Sequence, residues 1–337
     1  MKRLLPALFL VLLFAACNGG ANKKATPAAS TVDYSQVAIP HFNADSAYQF
    51  VADQVAFGFR TPNTAAQSRC ADYLARQMGR WCDTVIVQDF PATLWDGTTV
   101  RGKNIIASIE APASASTGKR LLLAAHWDSR LWADHDPDQD NHRKPIAGAN
   151  DGASGVGVLM EMARIISAQR PAVAIDFVFF DVEDQGCPEW ADNYVEDSWC
   201  KGSQYWSQHP HVPYYTAVYG VLLDMVGTEQ PRYTKEQISR QYAAGVMNKM
   251  WAVAAALGHD KIFENTETDP ILDDHYYVNR MAGIPMIDIV QNTRGISFFQ
   301  HWHTVNDNLE HVDKNTLRIT AEVILKTIYG DYGIQSK

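Results

Sequence analysis

The residues of this sequence that could do chemistry are acids and histidines placed just after short apolar runs, where buried strands are predicted to end. They are His126, Asp128, Glu183, Asp184 and Asp224. Two loops add candidates: Asp151 lies among small residues at 148–155, where the backbone can approach a ligand closely, and His303 lies near the C-terminus. Carboxylate and imidazole ligands together suit Zn²⁺, and a catalytic zinc takes three protein ligands and keeps one open position. The pattern therefore predicts a catalytic zinc site.

Each of these residues also has an ordinary structural explanation. A single aspartate after a strand more often caps a turn or a helix, and a single histidine is more often a surface or core residue. The recurrence of such residues at several strand ends favours a site. Glu183 and Asp184 are adjacent, and neighbours at the end of a strand point in different directions. One can therefore bind the metal while the other acts as a base.

The elements that must position these residues are short strands alternating with helices. Apolar, β-branched runs predict strands at 104–109, 121–125, 172–180, 217–225 and 285–290. Helical spacing predicts helices at 64–78, 154–166, 241–257 and 316–328. This order predicts a single α/β domain with a mostly parallel, twisted central β-sheet and helices on both faces. Sites in such folds gather at the carboxyl ends of the strands, where the candidate residues lie.

Five segments of the chain resemble the exported zinc aminopeptidases of the two-zinc, co-catalytic type, whose fold is shared by the glutaminyl cyclases. The segments are His126-Trp127-Asp128, Asn150-Asp151-Gly152, Phe180 to Asp184, Leu223-Asp224 and Trp302-His303-Thr304. The resemblance covers roughly residues 40–330. It implies a zinc aminopeptidase-like fold and leaves the chemistry open, because one fold can support several reactions.

Three further features resemble the glutaminyl cyclases. They are the segment 196–204 together with Trp190, the segment 272–275 followed by Ala-Gly-Ile-Pro, and the aromatic residues Phe298 and Trp302 beside His303. Two positions depart from the animal enzymes. Asp184 stands where they use a glutamate as ligand, and Asp288 stands where they carry a histidine. These departures suggest the bacterial branch of the glutaminyl cyclases.

The resemblance implies a role for each candidate residue. One zinc per chain is expected, held by Asp151, Asp184 and His303. Glu183 is expected to act as general base and acid, with Asp224 and Asp273 assisting it. Trp190, Phe298 and Trp302 are expected to form the substrate pocket, and His126 and Asp128 to be second-metal or structural residues. The implied reaction converts the N-terminal glutamine of peptides or proteins to pyroglutamate and releases ammonia.

Two other functions remain open at this level. In a two-zinc aminopeptidase, His126, Asp151, Asp184, Asp224 and His303 would all bind metal, with Asp151 bridging and Glu183 activating water. The metal count distinguishes that enzyme from a cyclase. A binding domain without catalysis is the second alternative, and the presence of Glu183 beside a full ligand set weighs against it.

The N-terminal segment has the pattern of an export signal. Met1-Lys2-Arg3 precedes an apolar run that ends at Ala16, which is too short to cross a bilayer. Because the run ends in Leu-Phe-Ala-Ala-Cys, it resembles a bacterial lipoprotein signal. We therefore expect a signal peptide at 1–16, a lipidated Cys17 with a flexible tether at 17–36, and a catalytic domain at 37–337. An ordinary secretory signal is the alternative.

This N-terminus predicts an exported protein, anchored by lipid to a bacterial membrane and facing the periplasm. The formal net charge of −9 argues against a nucleic-acid partner. Four cysteines follow Cys17. Cys70 and Cys82 are held apart by the rise of a predicted helix, whereas Cys187 and Cys200 flank one loop, so we expect a disulfide between the latter two. Four buried thiols are the alternative.

Overall fold

The computed structural model describes residues 32–292 and 298–334. The predicted signal peptide and Cys17 lie outside these residues. The strands are β1 (Thr84–Thr93), β2 (Thr99–Ile109), β3 (Arg120–His126), β4 (Ala174–Phe180), β5 (Gly220–Asp224), β6 (Tyr233–Lys235), β7 (Phe263–Glu267) and β8 (Met286–Val290). The helices are α1 (Ala44–Ala56), α2 (Ala65–Met78), α3 (Ala153–Ala168), α4 (Lys201–Gln208), α5 (Gln237–Ala256), α6 (Asp274–Tyr277) and α7 (Lys314–Tyr332). None of the described helices is both long and apolar enough to cross a membrane.

Six strands form the central sheet in the order β1-β2-β4-β3-β5-β8. The four strands β4, β3, β5 and β8 are parallel to one another, whereas β2 is antiparallel to both β1 and β4. Strands β6 and β7 pair separately. The predicted α/β fold with a mostly parallel sheet is therefore confirmed, with an antiparallel edge that the prediction did not include.

Both faces of the sheet are covered by helices, because alternate side chains of β3 belong to two different apolar cores. Leu121, Leu123 and Ala125 belong to the larger apolar core, which also contains residues of α1, α3, α5 and α7. Leu122 and Ala124 belong to a second core on the opposite face, together with Trp206 of α4. Because successive side chains of a strand point to opposite faces, a strand buried on both sides must be apolar throughout. That requirement explains why β3 was readable from the sequence.

Residues 34–36, which belong to the predicted tether, contact the domain. Tyr34–Gln36 forms a short 3-10 turn, and the Tyr34 hydroxyl donates a hydrogen bond to Asp331 at 2.7 Å. Lys326 donates hydrogen bonds to the carbonyl oxygens of Ser35 and Val37 at 2.9 and 2.7 Å. These contacts attach residues 34–37 to α7, although the predicted tether extends to residue 36.

Candidate active site

The candidate residues meet at the carboxyl edge of the parallel strands. His126 is the last residue of β3, Asp224 is the last residue of β5, and Glu183 and Asp184 follow β4. All four are buried. Parallel strands end at the same edge of a sheet, so residues distant in sequence come together there.

The three residues predicted to hold zinc lie side by side. Asp151, Asp184 and His303 each offer one atom, and these atoms lie within 4.8 Å of one another. Nε2 of His303 is 3.0 Å from Oδ1 of Asp184 and 3.6 Å from Oδ2 of Asp151. Oδ2 of each aspartate is buried without a hydrogen-bond partner. Buried carboxylate oxygens without partners are costly unless a cation neutralises them, and two carboxylates with one imidazole suit Zn²⁺. These residues therefore fit the predicted metal.

A buried ion pair lies behind the histidine of this group. Arg130 donates two hydrogen bonds to Asp134, at 2.7 and 2.6 Å, and a third to the backbone carbonyl of Asp184 at 2.9 Å. Oδ1 of Asp134 lies 3.4 Å from Nδ1 of His303. Although burial opposes ionisation, the pairing with Arg130 holds the pKa of Asp134 below its usual value. A carboxylate behind a ligating histidine fixes the ring orientation and its tautomer. Sequence reasoning missed this pair, because it lies in a loop without a periodic pattern.

A second group of possible ligands shares Asp151 with the first. Nε2 of His126 is 3.1 Å from Oδ1 of Asp151 and 3.2 Å from Oδ1 of Asp224. One oxygen of Asp151 thus faces each histidine. The three residues of this group also bring their ligand atoms within 4.8 Å of one another. This arrangement matches the bridging role that Asp151 would have in a two-metal site.

Asp128 holds the turn that carries Glu183 and Asp184. Its Oδ1 accepts the backbone N–H of Glu183 at 3.1 Å, and its Oδ2 accepts that of Asp184 at 3.2 Å. Oδ2 also accepts a hydrogen bond from the side chain of Gln185 at 2.9 Å. The turn needs this support, because Val182 adopts a left-handed backbone with φ 58°, which is strained for a β-branched residue. The geometry gives Asp128 a structural role.

Glu183 has the environment of a general base. Burial raises the pKa of its carboxyl well above the usual value, and the nearby carboxyls of Asp273 and Asp184 raise it further. Burial beside Asp224 likewise raises the pKa of Asp273 to about 6. A carboxyl with a raised pKa can both accept and donate a proton near neutral pH.

A cavity of about 200 Å³ opens on these residues. It is lined by Asp151, Glu183, Asp184, Tyr194, Trp199, Asp224, Met225, Ile271, Leu272, Asp273, Phe298, Trp302 and His303. Phe298 and Trp302 are both in this lining, and Trp302 stacks on His303 with ring centroids 3.8 Å apart. The volume suits one amino-acid side chain better than the larger ligands that usual binding pockets accept.

Trp190 does not line this cavity, and its assignment to the substrate pocket is corrected. It lies under the guanidinium of Arg143, 4.5 Å from the ring centroid, in a separate surface depression. Trp199 from the same insert lines the cavity instead, with Arg130 4.6 Å above its ring. Trp199 packs against Gly186, where a Cβ atom would lie only 2.1 Å from the indole.

The predicted disulfide between Cys187 and Cys200 is wrong. Both residues are free thiols, as are Cys70 and Cys82. The sulfur of Cys187 accepts the backbone N–H of Val195 at 3.2 Å within the insert, whereas Cys200 is buried against Glu183. The two side chains thus occupy different environments, although they flank one loop.

With this site described, the chain can be placed among known proteins. A model of peptidase family M28 matches residues 104–328, and the chain belongs to this family. A Zn-dependent exopeptidase from Parabacteroides distasonis is 48% identical with a TM-score of 0.83, and 87% of this chain and 99% of that one are covered. Glutaminyl cyclase from Tannerella forsythia is 49% identical with a TM-score of 0.82, covering 86% of this chain and 99% of that one.

One curated relative is also a glutaminyl cyclase. Glutaminyl-peptide cyclotransferase from Gloydius blomhoffii is 23% identical over 247 residues, or 66% of this chain. The match spans 63% of that relative's length. Family membership and the zinc-dependent neighbour imply zinc as the metal, in agreement with the ligand group described above.

Proposed function

We propose that this protein is a glutaminyl-peptide cyclotransferase, which converts the N-terminal glutamine of peptides or proteins to pyroglutamate and releases ammonia. The observation that carries the proposal is the position of Glu183. This buried carboxyl, with its raised pKa, lines a cavity sized for one side chain and lies next to the ligand group of Asp151, Asp184 and His303. The similarity to glutaminyl cyclases across nearly the whole described domain supports the same reaction.

The reaction needs a proton carrier and a shaped slot. The α-amine of the substrate glutamine attacks Cδ of its own side chain, and Glu183 takes one proton from the amine. Glu183 then gives this proton to the amide nitrogen, which leaves as ammonia when its bond to Cδ breaks. The nearby carboxyl of Asp273 helps to keep the pKa of Glu183 raised, and Asp224 would lie beside the substrate nitrogens. Because attacking and attacked atoms belong to one residue, holding them in a folded five-membered geometry supplies much of the rate advantage.

One zinc ion per chain would be held by Asp151, Asp184 and His303. When bound, it would supply Lewis-acid polarisation of the side-chain carbonyl of the substrate. Trp199, Phe298 and Trp302 give the cavity apolar walls, which would limit the access of water to a bound substrate and so favour cyclisation over hydrolysis.

A two-zinc aminopeptidase is the second candidate function. The observation in its favour is that His126, Asp151 and Asp224 also converge to within 4.8 Å, so that Asp151 is placed to bridge two metals. In that enzyme Glu183 would activate a water molecule for peptide hydrolysis.

One experiment separates the two functions. Purified protein comprising residues 33–337 is incubated with a peptide that begins with glutamine and, separately, with an aminoacyl amide, while zinc is counted in the same sample. The cyclase yields ammonia and a pyroglutamyl peptide with one zinc per chain. Free amino acids and two zincs per chain would instead identify the aminopeptidase.

Variants assign the proton carrier in the same assay. Glu183→Gln removes the base and should abolish ammonia release. Glu161→Gln is a matched control, because Glu161 is also a buried glutamate but pairs with Arg164 on α3, away from the cavity. Equal activity loss in both variants would contradict the role of Glu183.

We also propose that the protein is exported and anchored through a lipid on Cys17. The support is the sequence pattern at residues 1–17. Expression of the full chain in bacteria with a radiolabelled fatty acid should label the native protein and not Cys17→Ser. Labelling of neither would leave an ordinary secretory signal as the explanation.

A further inference from the structure

Cys200 contacts Glu183 through both its main chain and its side chain. The backbone N–H of Cys200 donates to the carbonyl oxygen of Glu183 at 2.8 Å. The thiol sulfur lies 3.2 Å from Oε1 of the Glu183 carboxylate. Cys200 is completely buried and immediately precedes α4. The thiol is therefore held beside the proposed proton carrier.

The surroundings of Cys200 favour a thiol that donates a hydrogen bond over a thiolate that attacks a substrate. Burial raises the pKa of the Cys200 thiol well above its usual value, and the acids Glu183, Asp274 and Asp273 raise it further. Reactive thiolates need a neighbouring cation or another stabilising positive charge. Here the neighbours are carboxyl groups, so the sulfur keeps its proton.

The thiol is the main hydrogen-bond donor to the Glu183 carboxylate. Within residues 32–292 and 298–334, no other side chain or backbone N–H donates a hydrogen bond to either oxygen. Nδ1 of His126 is 3.8 Å from Oε2, which is too long for a hydrogen bond. The contact with Asp128 reaches the backbone of Glu183 and does not orient the carboxylate itself.

We propose that Cys200 is a positioning residue, whose S–H group fixes the orientation of the Glu183 carboxylate during proton transfer. The inference rests on the proposed function of Glu183. A carboxylate held by one oxygen keeps the other in a constant direction, so the distance to the substrate amine varies less. Loss of the donor should lower the rate of the chemical step and leave substrate affinity largely unchanged.

Small substitutions can test the hydrogen bond without changing the backbone. Cys200 adopts a left-handed conformation with φ 57°, which strains cysteine, alanine and serine to a similar extent. Cys200→Ala should lower kcat about ten-fold with KM and zinc content unchanged, as expected for a hydrogen bond to a charged group. Cys200→Ser restores a donor and should return kcat to within about three-fold of the native value.

Cys70→Ala is the matched control. Cys70 is an equally buried free thiol on α2, and its removal creates a similar small cavity. This variant should lose stability while keeping the native kcat. The proposal is overturned if Cys200→Ala keeps the native kcat, or if Cys200→Ser is as slow as Cys200→Ala.

The infrared S–H stretch tests the same contact without an activity assay. The band of Cys200 is identified by its absence from Cys200→Ser, and it should lie at lower frequency than the band of a thiol without a carboxylate acceptor. In Glu183→Gln it should move to higher frequency, because the neutral amide is a weaker acceptor. An unchanged band would overturn the proposal. If the protein hydrolyses aminoacyl amides and the band still shifts in Glu183→Gln, the proposed cyclase function is overturned, whereas the contact between Cys200 and Glu183 is supported.

Discussion

Replacement of Asp128 by asparagine tests how the metal ligands are positioned. Oδ1 of Asp128 accepts a hydrogen bond from Glu183 N–H, and Oδ2 accepts two, from Asp184 N–H and the side chain of Gln185. Oδ1 also lies 3.4 Å from Nδ1 of His126. Whichever oxygen becomes an NH₂ group, two of these neighbouring nitrogens lose their acceptor and face a donor. The substitution therefore damages the turn that carries Asp184, without removing a metal ligand.

The expected decrease in the free energy of unfolding follows from the number of hydrogen bonds lost. Each hydrogen bond to a buried charge contributes about 1.5–3 kcal/mol, so two lost bonds give a destabilisation of roughly 3–6 kcal/mol. Mutation of a residue that hydrogen-bonds to a metal ligand typically lowers metal affinity about 10-fold to 100-fold, which corresponds to about 1.4–2.7 kcal/mol of binding free energy. Urea unfolding measures the first quantity, and zinc competition with a chelator measures the second.

Asp176→Asn separates lost metal affinity from lost stability. Asp176 on β4 is also fully buried, and it accepts hydrogen bonds from Arg120, Ser108 and Tyr215. Its loss should destabilise the protein to a similar extent and leave zinc affinity within about two-fold of the native value. The reasoning is refuted if Asp128→Asn binds zinc with native affinity, or if both variants lose zinc affinity equally.

Three further predictions concern the cavity. Trp199→Ala should raise KM about ten-fold in the ammonia-release assay by removing an aromatic wall, whereas Trp190→Ala should leave KM within about two-fold; the reverse order would contradict the corrected assignment. Gly186→Ala should displace the Trp199 ring, because the new Cβ would lie 2.1 Å from it, and a change in tryptophan fluorescence together with a raised KM would report this. The fold raises the pKa of Asp273 from 3.8 to about 6, so the folded state binds the proton of Asp273 more tightly than the unfolded state does. The free energy of unfolding of the zinc-free protein should therefore fall by up to about 3 kcal/mol as the pH rises from 4 to 6. Urea unfolding of zinc-free Asp273→Asn should lack that part of the pH dependence, and an identical profile would contradict the assignment.

Much of the fold was predictable because its central strands are buried on both faces. Strands β2 to β5 and β8 appear in the sequence as nearly continuous apolar runs, and four of the helices show clear periodicity. Strand β1 was missed because it is an edge strand without a regular alternation of apolar and polar residues: Ile86 and Val87 are exposed, and Pro91 lies within the strand. Helix α1 was missed as well, although Asn43 caps its first turn by accepting two backbone N–H bonds.

By itself, the sequence determined the site residues that directly follow a strand or begin a helix. The direction of a parallel strand sends its last residues to one edge of the sheet, so the convergence of His126, Glu183, Asp184 and Asp224 follows from the order of the apolar runs. Three features could be seen only in the tertiary structure. Trp199 lines the cavity in place of Trp190, and Arg130 and Asp134 lie behind His303. Cys200 contacts Glu183 and does not pair with Cys187. These contacts depend on how the loops at 127–137 and 185–200 pack against each other, and an irregular loop has no sequence period from which such packing could be read.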